Sequence, residues 1–228
     1  MLVGSPVERH EALRAGRLRL LGVDVGFAKV SDLELPSNRS FDHQASSSLA
    51  LERALDSLDI TADDAVVDIG CGKGGAMMVL HRYPFARVDG VEISASLVTT
   101  ARRNIWRLGM VKSAVICCDA GRFDGYDPYS FLYLYNPFPE VVVREVLARV
   151  AASLARRPRV LTLIYMNPTA HKAVCESGFA LTRAFDALER ERHTVIHVYR
   201  GPNADGLVPA QKDPILESGT TLTTDTKH

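Results

Sequence analysis

Residues 68–75 read Asp-Ile-Gly-Cys-Gly-Lys-Gly-Gly and directly follow the apolar run Ala65-Val66-Val67. This order predicts a strand that enters a glycine-rich turn and then a helix. Glycine permits a sharp turn and lets a ligand approach the backbone, while the helix N-terminus that follows offers unpaired N–H groups. The stretch therefore predicts a nucleotide-binding turn at the carboxyl end of a strand.

The glycine spacing alone leaves two classes of ligand open. Gly70, Gly72 and Gly75 satisfy the G-x-G-x-x-G pattern of dinucleotide-binding folds. Glu92 then stands where a ribose-binding acid is expected, roughly 20 residues further on. Asp68, however, precedes the first glycine by two positions, where a carboxylate would repel phosphate oxygens and attract an ammonium group. This acid favours a ligand with an amino-acid group over a pyrophosphate.

Polar residues also end two later apolar runs. The run 114–118 ends at Asp119, and the run 131–135 ends in Asn136-Pro137-Phe138-Pro139. Together with the acidic glycine loop, this set resembles the class I S-adenosylmethionine (SAM) dependent methyltransferases over roughly residues 60–200. The resemblance implies SAM as the cofactor, S-adenosylhomocysteine as its product and methyl transfer as the reaction. A SAM-binding module without turnover and a nicotinamide-dependent Rossmann enzyme are the alternatives.

Strands and helices alternate from position 65 onward, which predicts an α/β fold with a mainly parallel sheet. The resemblance implies a Rossmann-like, doubly wound sheet of seven strands, mostly parallel, with an antiparallel C-terminal hairpin formed by 179–185 and 194–199. Residues 1–43 are expected to form an N-terminal extension, with a candidate lid at 41–44. Residues 44–200 are expected to form the methyltransferase domain, and residues 201–228 a mobile tail.

The resemblance also implies a role for each site residue. Asp68 would organise the loop and the methionine ammonium, Glu92 would accept from both ribose hydroxyls, and Asp119 would accept from the adenine amino group. The full set expected to contact the cofactor is Asp68, Gly70, Cys71, Gly72, Gly74, Glu92, Ile93, Asp119, Ala120 and Asn136. Plainer alternatives are a helix cap for Glu92, a turn for Asp119 and a strand end for Asn136-Pro137.

Asn136 and Phe138 are the candidate catalytic residues. The segment Asn136-Pro137-Phe138 is similar to the Asn-Pro-Pro-aromatic signature of amino-group methyltransferases, with Phe138 in place of the second proline. The Asn136 carbonyl would accept a hydrogen bond from the acceptor amine, and Phe138 would line its pocket. The similarity implies a small-molecule or protein amine as the acceptor, and hydroxyl acceptors stay open.

The overall composition limits which binding partners and which cellular location we expect. Basic and acidic residues balance at 27 each, so no global field attracts nucleic acid, which is disfavoured as a partner. The cysteines lack C-x-x-C spacing, so no metal site is expected; those at 71, 117 and 118 are interpreted as small buried residues. Because no run of ~20 apolar residues or secretory signal is found, we expect a cytoplasmic protein without a membrane span. Lys73 is expected to be solvated, and the oligomeric state is left open.

Overall fold

The computed structural model describes residues 16, 18, 20–26, 48–135, 138–189, 192–202 and 215–218. Within these ranges, eight strands form one mixed sheet. The strands are β1 (Ala65–Ile69), β2 (Arg87–Glu92), β3 (Ser113–Cys117), β4 (Phe131–Tyr135), β5 (Thr162–Met166), β6 (Ala180–Glu189), β7 (Arg192–Arg200) and β8 (Ile215–Ser218). The predicted candidate lid at 41–44, together with Asn136 and Pro137, lies outside the described residues.

The strand order is β3-β2-β1-β4-β5-β7-β6-β8. Strands β1 to β5 are parallel, and β7 lies between β5 and β6, antiparallel to both. This arrangement confirms the predicted Rossmann-like α/β fold and its antiparallel end. Strand β8 was not predicted, because its segment lacks periodicity; it pairs in parallel with β6, with Ile215 opposite Arg183. Residues 203–214 and 219–228 of the predicted tail lie outside the described ranges.

Helices connect the strands and cover both faces of the sheet. Those with defined bounds are α1 (Ser48–Asp56), α2 (Gly75–Leu80), α3 (Ala95–Arg107), α4 (Glu140–Arg156) and α5 (His171–Glu176), with a short 3-10 helix at Ala120–Arg122. Ser94 caps α3, because its side chain accepts from the Leu97 N–H. Pro139 precedes the first residue of α4, where its fixed φ suits a helix start.

Two hydrophobic clusters form the core, one on each face of the sheet. One cluster unites buried residues of α1, α2 and α3 with strand residues such as Val66, and the other unites α4 and α5 with residues such as Val67. Central parallel strands covered on both faces read as continuous apolar runs, which explains the composition of β1 and β4. Strand β3 lies at the edge, so Cys117 is exposed and Cys118 only half-buried, and the prediction that both are buried was wrong.

The strand order indicates where a ligand would bind. The chain moves outward from β1 through β2 to β3 and then returns to β4 on the other side of β1, which creates a topological switch between β1 and β4. Ligands of open α/β sheets bind outside the carboxyl ends of the strands at such a point. The glycine loop, Glu92 and Asp119 all lie at that edge.

Candidate cofactor site

The loop after β1 is shaped by three glycines with left-handed backbone conformations. Gly70, Gly72 and Gly74 have φ values of 80°, 53° and 84°, which side chains with a Cβ rarely adopt. The Gly70 and Cys71 N–H groups both donate to the Val91 carbonyl, at 2.9 and 3.1 Å. The loop is therefore folded back against the carboxyl end of β2.

Glu92, the last residue of β2, holds this loop through its side chain. Its Oε2 accepts from the Gly72 N–H at 2.9 Å, and its Oε1 accepts from the Ser94 N–H at 2.8 Å. A carboxylate has about four acceptor sites, so both oxygens keep capacity for further donors. Burial raises the pKa of Glu92, while the backbone hydrogen bonds oppose that rise. Glu92 is a structural clamp of the loop as well as a candidate ribose acceptor.

Asp68 lies in the middle of the sheet, with Gly90 of β2 on one side and Tyr133 of β4 on the other. It is only 3% exposed. Burial, reinforced by the negative charge of Glu92, raises the pKa of Asp68 to about 8. A carboxyl in this environment favours either its neutral form or a cationic partner.

Gly90 supports the site and was not singled out from the sequence. A Cβ at this position would lie 2.5 Å from the Cys71 Sγ and 2.7 Å from the Met77 Sδ. The Cys71 side chain is buried there, and burial is the main cause of the raised pKa of its thiol, followed by the charges of Asp68 and Glu92. A glycine inside a strand is a sequence signal for such a close approach. A side chain at position 90 would therefore force Cys71 and Met77 to shift.

Asp119 and Ala120 follow β3 at the same edge of the sheet. Asp119 begins the 3-10 helix, and its Oδ1 accepts from the Gly121 N–H at 3.0 Å. Ala120 is buried, and Ile93, which follows Glu92, is half-buried. The turn role considered for Asp119 is thus present.

Of the two candidate catalytic residues, the structure describes only Phe138. Asn136 lies outside the described residues, so its role stays a prediction. Phe138 is 6% exposed and belongs to the hydrophobic cluster on the α4 side. Tyr133 is fully buried, and its hydroxyl contacts the Met166 Sδ at 3.7 Å, which makes it a core residue.

The environment of Lys73 differs from the predicted one. Its side chain is only 12% exposed, and its Nζ lies 3.0 and 2.9 Å from the two carboxylate oxygens of Asp24. The expectation of a solvated lysine was wrong because an N-terminal segment packs beside the loop. The sequence around Lys73 gives no sign of this contact.

The described ranges contain neither a metal-binding cluster nor a membrane-spanning helix. Across them, histidine, cysteine and acidic side chains nowhere gather in groups of three or more that could hold a metal ion. In the same ranges, each helix falls short of the length and apolar character that a bilayer span requires.

Known proteins share part of this sequence. Residues 66–157 match the family model described as a methyltransferase domain. A 37-residue stretch is 51% identical to geranyl diphosphate 2-C-methyltransferase of Streptomyces ambofaciens, which amounts to 16% of this chain and 13% of that protein. The chain thus aligns with only a small part of this relative's length.

Solved structures share the fold over a larger part of the chain. The B. subtilis tRNA methyltransferase TrmK superposes with a TM-score of 0.55 and 14% identity, over 71% of this chain and 69% of that chain. Magnesium protoporphyrin IX methyltransferase of Synechocystis PCC 6803, solved with bound SAM, superposes with a TM-score of 0.52 and 19% identity, over 68% and 76%. Residues 66–157 therefore match a methyltransferase domain, and the chain shares the Rossmann-like fold of these solved methyltransferases.

Proposed function

We propose that the protein transfers a methyl group from SAM to an amine or hydroxyl acceptor. The observation that carries this proposal is the juxtaposition of two buried carboxyl groups, Asp68 and Glu92, with a left-handed glycine loop at the carboxyl ends of β1 and β2. Burying a carboxyl group costs free energy unless a cation or a hydrogen-bond donor lies beside it. The pair is therefore suited to a ligand that carries both a cationic group and hydrogen-bond donors.

The residues of this edge fit SAM, which supplies an electrophilic methyl group on a sulfonium and also carries an ammonium group. Asp68 would hold the ammonium group, whose charge would offset the burial that raises its pKa. Glu92 would accept from the ribose hydroxyls with the acceptor capacity that Gly72 and Ser94 leave, and Asp119 would accept from the adenine amino group. Cys71, Gly74, Ile93 and Ala120 would contribute backbone or apolar contacts.

The acceptor side is proposed to depend on Asn136 and Phe138. The Asn136 carbonyl would orient the acceptor lone pair, which forms the new bond to the methyl carbon as the sulfur–carbon bond breaks. Positioning of this kind can lower a barrier by ~7–11 kcal/mol, so a nucleophilic side chain is not needed. A lysine acceptor would first lose a proton, at a cost of roughly 4.6 kcal/mol at pH 7 from a reference pKa of about 10.4.

The relatives widen the list of acceptors. One similar structure is a tRNA methyltransferase, and the relative with local identity methylates carbon 2 of geranyl diphosphate according to its name. The balanced charge still favours a small or protein amine over nucleic acid. Transfer RNA and prenyl diphosphates therefore belong in the acceptor panel beside amines and hydroxyl compounds.

We also propose a cytoplasmic location. All four cysteines are free, as is usual in a reducing compartment.

Calorimetric titration with S-adenosylhomocysteine tests the cofactor assignment, with NADH as the competing ligand. We expect S-adenosylhomocysteine to bind and NADH not to bind. Folded protein that bound only NADH would reject the proposal. Incubation with methyl-labelled SAM and the acceptor panel, read by mass spectrometry, then separates an enzyme from a SAM-binding module: a labelled product establishes turnover, and cofactor binding without any product favours the module.

A further inference from the structure

A segment close to the N-terminus packs against the glycine loop, far from it in sequence. This segment, residues 22–26, is called the clasp below. Val23 is buried, and the Arg107 guanidinium at the end of α3 donates to the Gly22 carbonyl. The clasp is thus attached to α3, the helix that follows Glu92.

One buried amide joins the clasp to the loop. Asn104 of α3 is completely buried, and its Nδ2 donates to the Asp24 carbonyl at 2.7 Å and to the Lys73 carbonyl at 2.9 Å. Its Oδ1 accepts from the Asp24 N–H at 3.1 Å. A single side chain therefore satisfies backbone groups of both segments, and buried polar groups that lose such partners are destabilising.

An ion pair adds a second link between the same two residues. Both Asp24 oxygens contact the Lys73 Nζ, and Oδ1 also accepts from the Gly26 N–H at 2.9 Å. Partial burial alone would raise the pKa of Asp24, but the bonds from Lys73 and Gly26 outweigh it and lower the pKa. The Asp24 carboxylate consequently stays charged throughout the neutral range.

We propose that the clasp is part of the cofactor site, and that Asn104 and the Asp24–Lys73 pair are positioning residues that hold the glycine loop in its ligand-binding conformation. The inference rests on the proposed cofactor function. The Gly72 N–H is fixed by Glu92 from β2, and the carbonyl of the following residue, Lys73, is fixed by Asn104 from α3. The turn is therefore held from two sides, and one of those attachments is shared with the clasp.

Cofactor binding and clasp docking are then coupled in both directions. A loop that loses one attachment samples more conformations, so the ligand must restore the order that docking otherwise provides. By the same linkage, the bound ligand must stabilise the docked clasp.

The test measures S-adenosylhomocysteine affinity by calorimetry in the full-length protein. Asp24→Asn and Lys73→Met each keep the size of the side chain and remove its charge, and each should weaken binding about two- to fivefold, the range of a partly exposed ion pair. The double variant should be no weaker than either single one, because the two changes remove one shared interaction. Lys73→Arg should bind nearly as wild type, and Lys172→Met, which breaks a remote ion pair on α5, is the matched control.

Hydrogen exchange gives an independent measurement. S-adenosylhomocysteine should slow exchange of the Asp24 amide relative to the amides of α5, and this extra protection should shrink in Asp24→Asn. Weaker binding by Lys73→Met with unchanged binding by Asp24→Asn would overturn the clasp, because Lys73 would then act on the ligand directly. Wild-type protein that binds no S-adenosylhomocysteine would refute the proposed function instead, which distinguishes the two failures.

Discussion

Asp68→Asn should change both the stability and the ligand affinity of the protein in a way that depends on pH. Asparagine has nearly the same shape as aspartate but cannot ionise. Asp68 is 3% exposed, and its folded-state pKa of about 8 lies far above the ordinary value of 3.8. The variant therefore removes the ionisable carboxyl of Asp68 and changes little else in the buried strand β1.

The stability effect follows from linkage. A group with a raised folded-state pKa contributes stability that is fully present below pH ~4, the ordinary aspartate pKa, and is lost as the pH rises through about 8. In that window the free energy of unfolding of wild type should fall relative to Asp68→Asn by up to about 1.4 kcal/mol per pH unit. For a chain of this size, the difference in Tm between the two proteins should grow by about 3–6 °C per pH unit.

Ligand binding favours the other protonation state of Asp68, because the ammonium group of the ligand requires the ionised carboxylate. With a pKa of about 8, the ionised fraction of Asp68 rises from about 1% at pH 6 to about 50% at pH 8. Wild-type affinity for S-adenosylhomocysteine should therefore increase up to about fiftyfold over this range, with release of about one proton per ligand at pH 6. Asp68→Asn should bind weakly at every pH, with no proton release.

Urea or thermal unfolding between pH 4 and 9 gives the stability difference, and calorimetry in buffers of different ionisation enthalpy gives the proton count. Titrating groups that do not interact with Asp68 behave alike in both proteins, so their contributions cancel in the comparison. Parallel stability curves for wild type and Asp68→Asn, or equal pH dependence of their affinities, would refute the assignment of a raised pKa to Asp68.

Three further substitutions test separate parts of the site. Gly90→Ala should lower stability by about 1–3 kcal/mol in urea unfolding, because its Cβ would collide with the buried Cys71, whereas Gly75→Ala, whose Cβ meets nothing within 4 Å, should not; equal Tm values would contradict the packing argument. Glu92→Ala should weaken S-adenosylhomocysteine binding roughly tenfold to several hundredfold in calorimetry, and unchanged affinity would remove Glu92 from the cofactor site. Asn136→Ala should keep that affinity within a few-fold but reduce turnover, once an acceptor is found, by more than tenfold; full turnover would make Asn136-Pro137 only a strand end.

Much of the fold is predictable because its signals are local. The switch from an apolar strand to a glycine turn at 68–75, the cap at Ser94 and the spacing of the buried residues along α4 each depend on neighbours within a few residues. The positions of Glu92 and Asp119 at strand ends follow from the same periodicity. These features predict the α/β class, and they place the candidate site at the carboxyl ends of the strands.

Contacts between distant segments could not be predicted in this way. The loss of solvent from Lys73 depends on Asp24, which is 49 residues away, and the role of Asn104 depends on a segment 80 residues away. Strand β8 pairs with β6 although its own segment has no strand periodicity, because an open sheet edge can accept backbone hydrogen bonds from almost any extended chain.

The sequence by itself determined the glycine turn, the alternation of strands and helices, and the identity of the acids at the strand ends, because backbone conformation and hydrophobic period are properties of short stretches. Only the tertiary structure decided that β4 lies beside β1, that Gly90 makes room for Cys71, and that the clasp reaches the loop. These depend on which distant surfaces meet, and the burial that raises the pKa of Asp68 exists only after they have met.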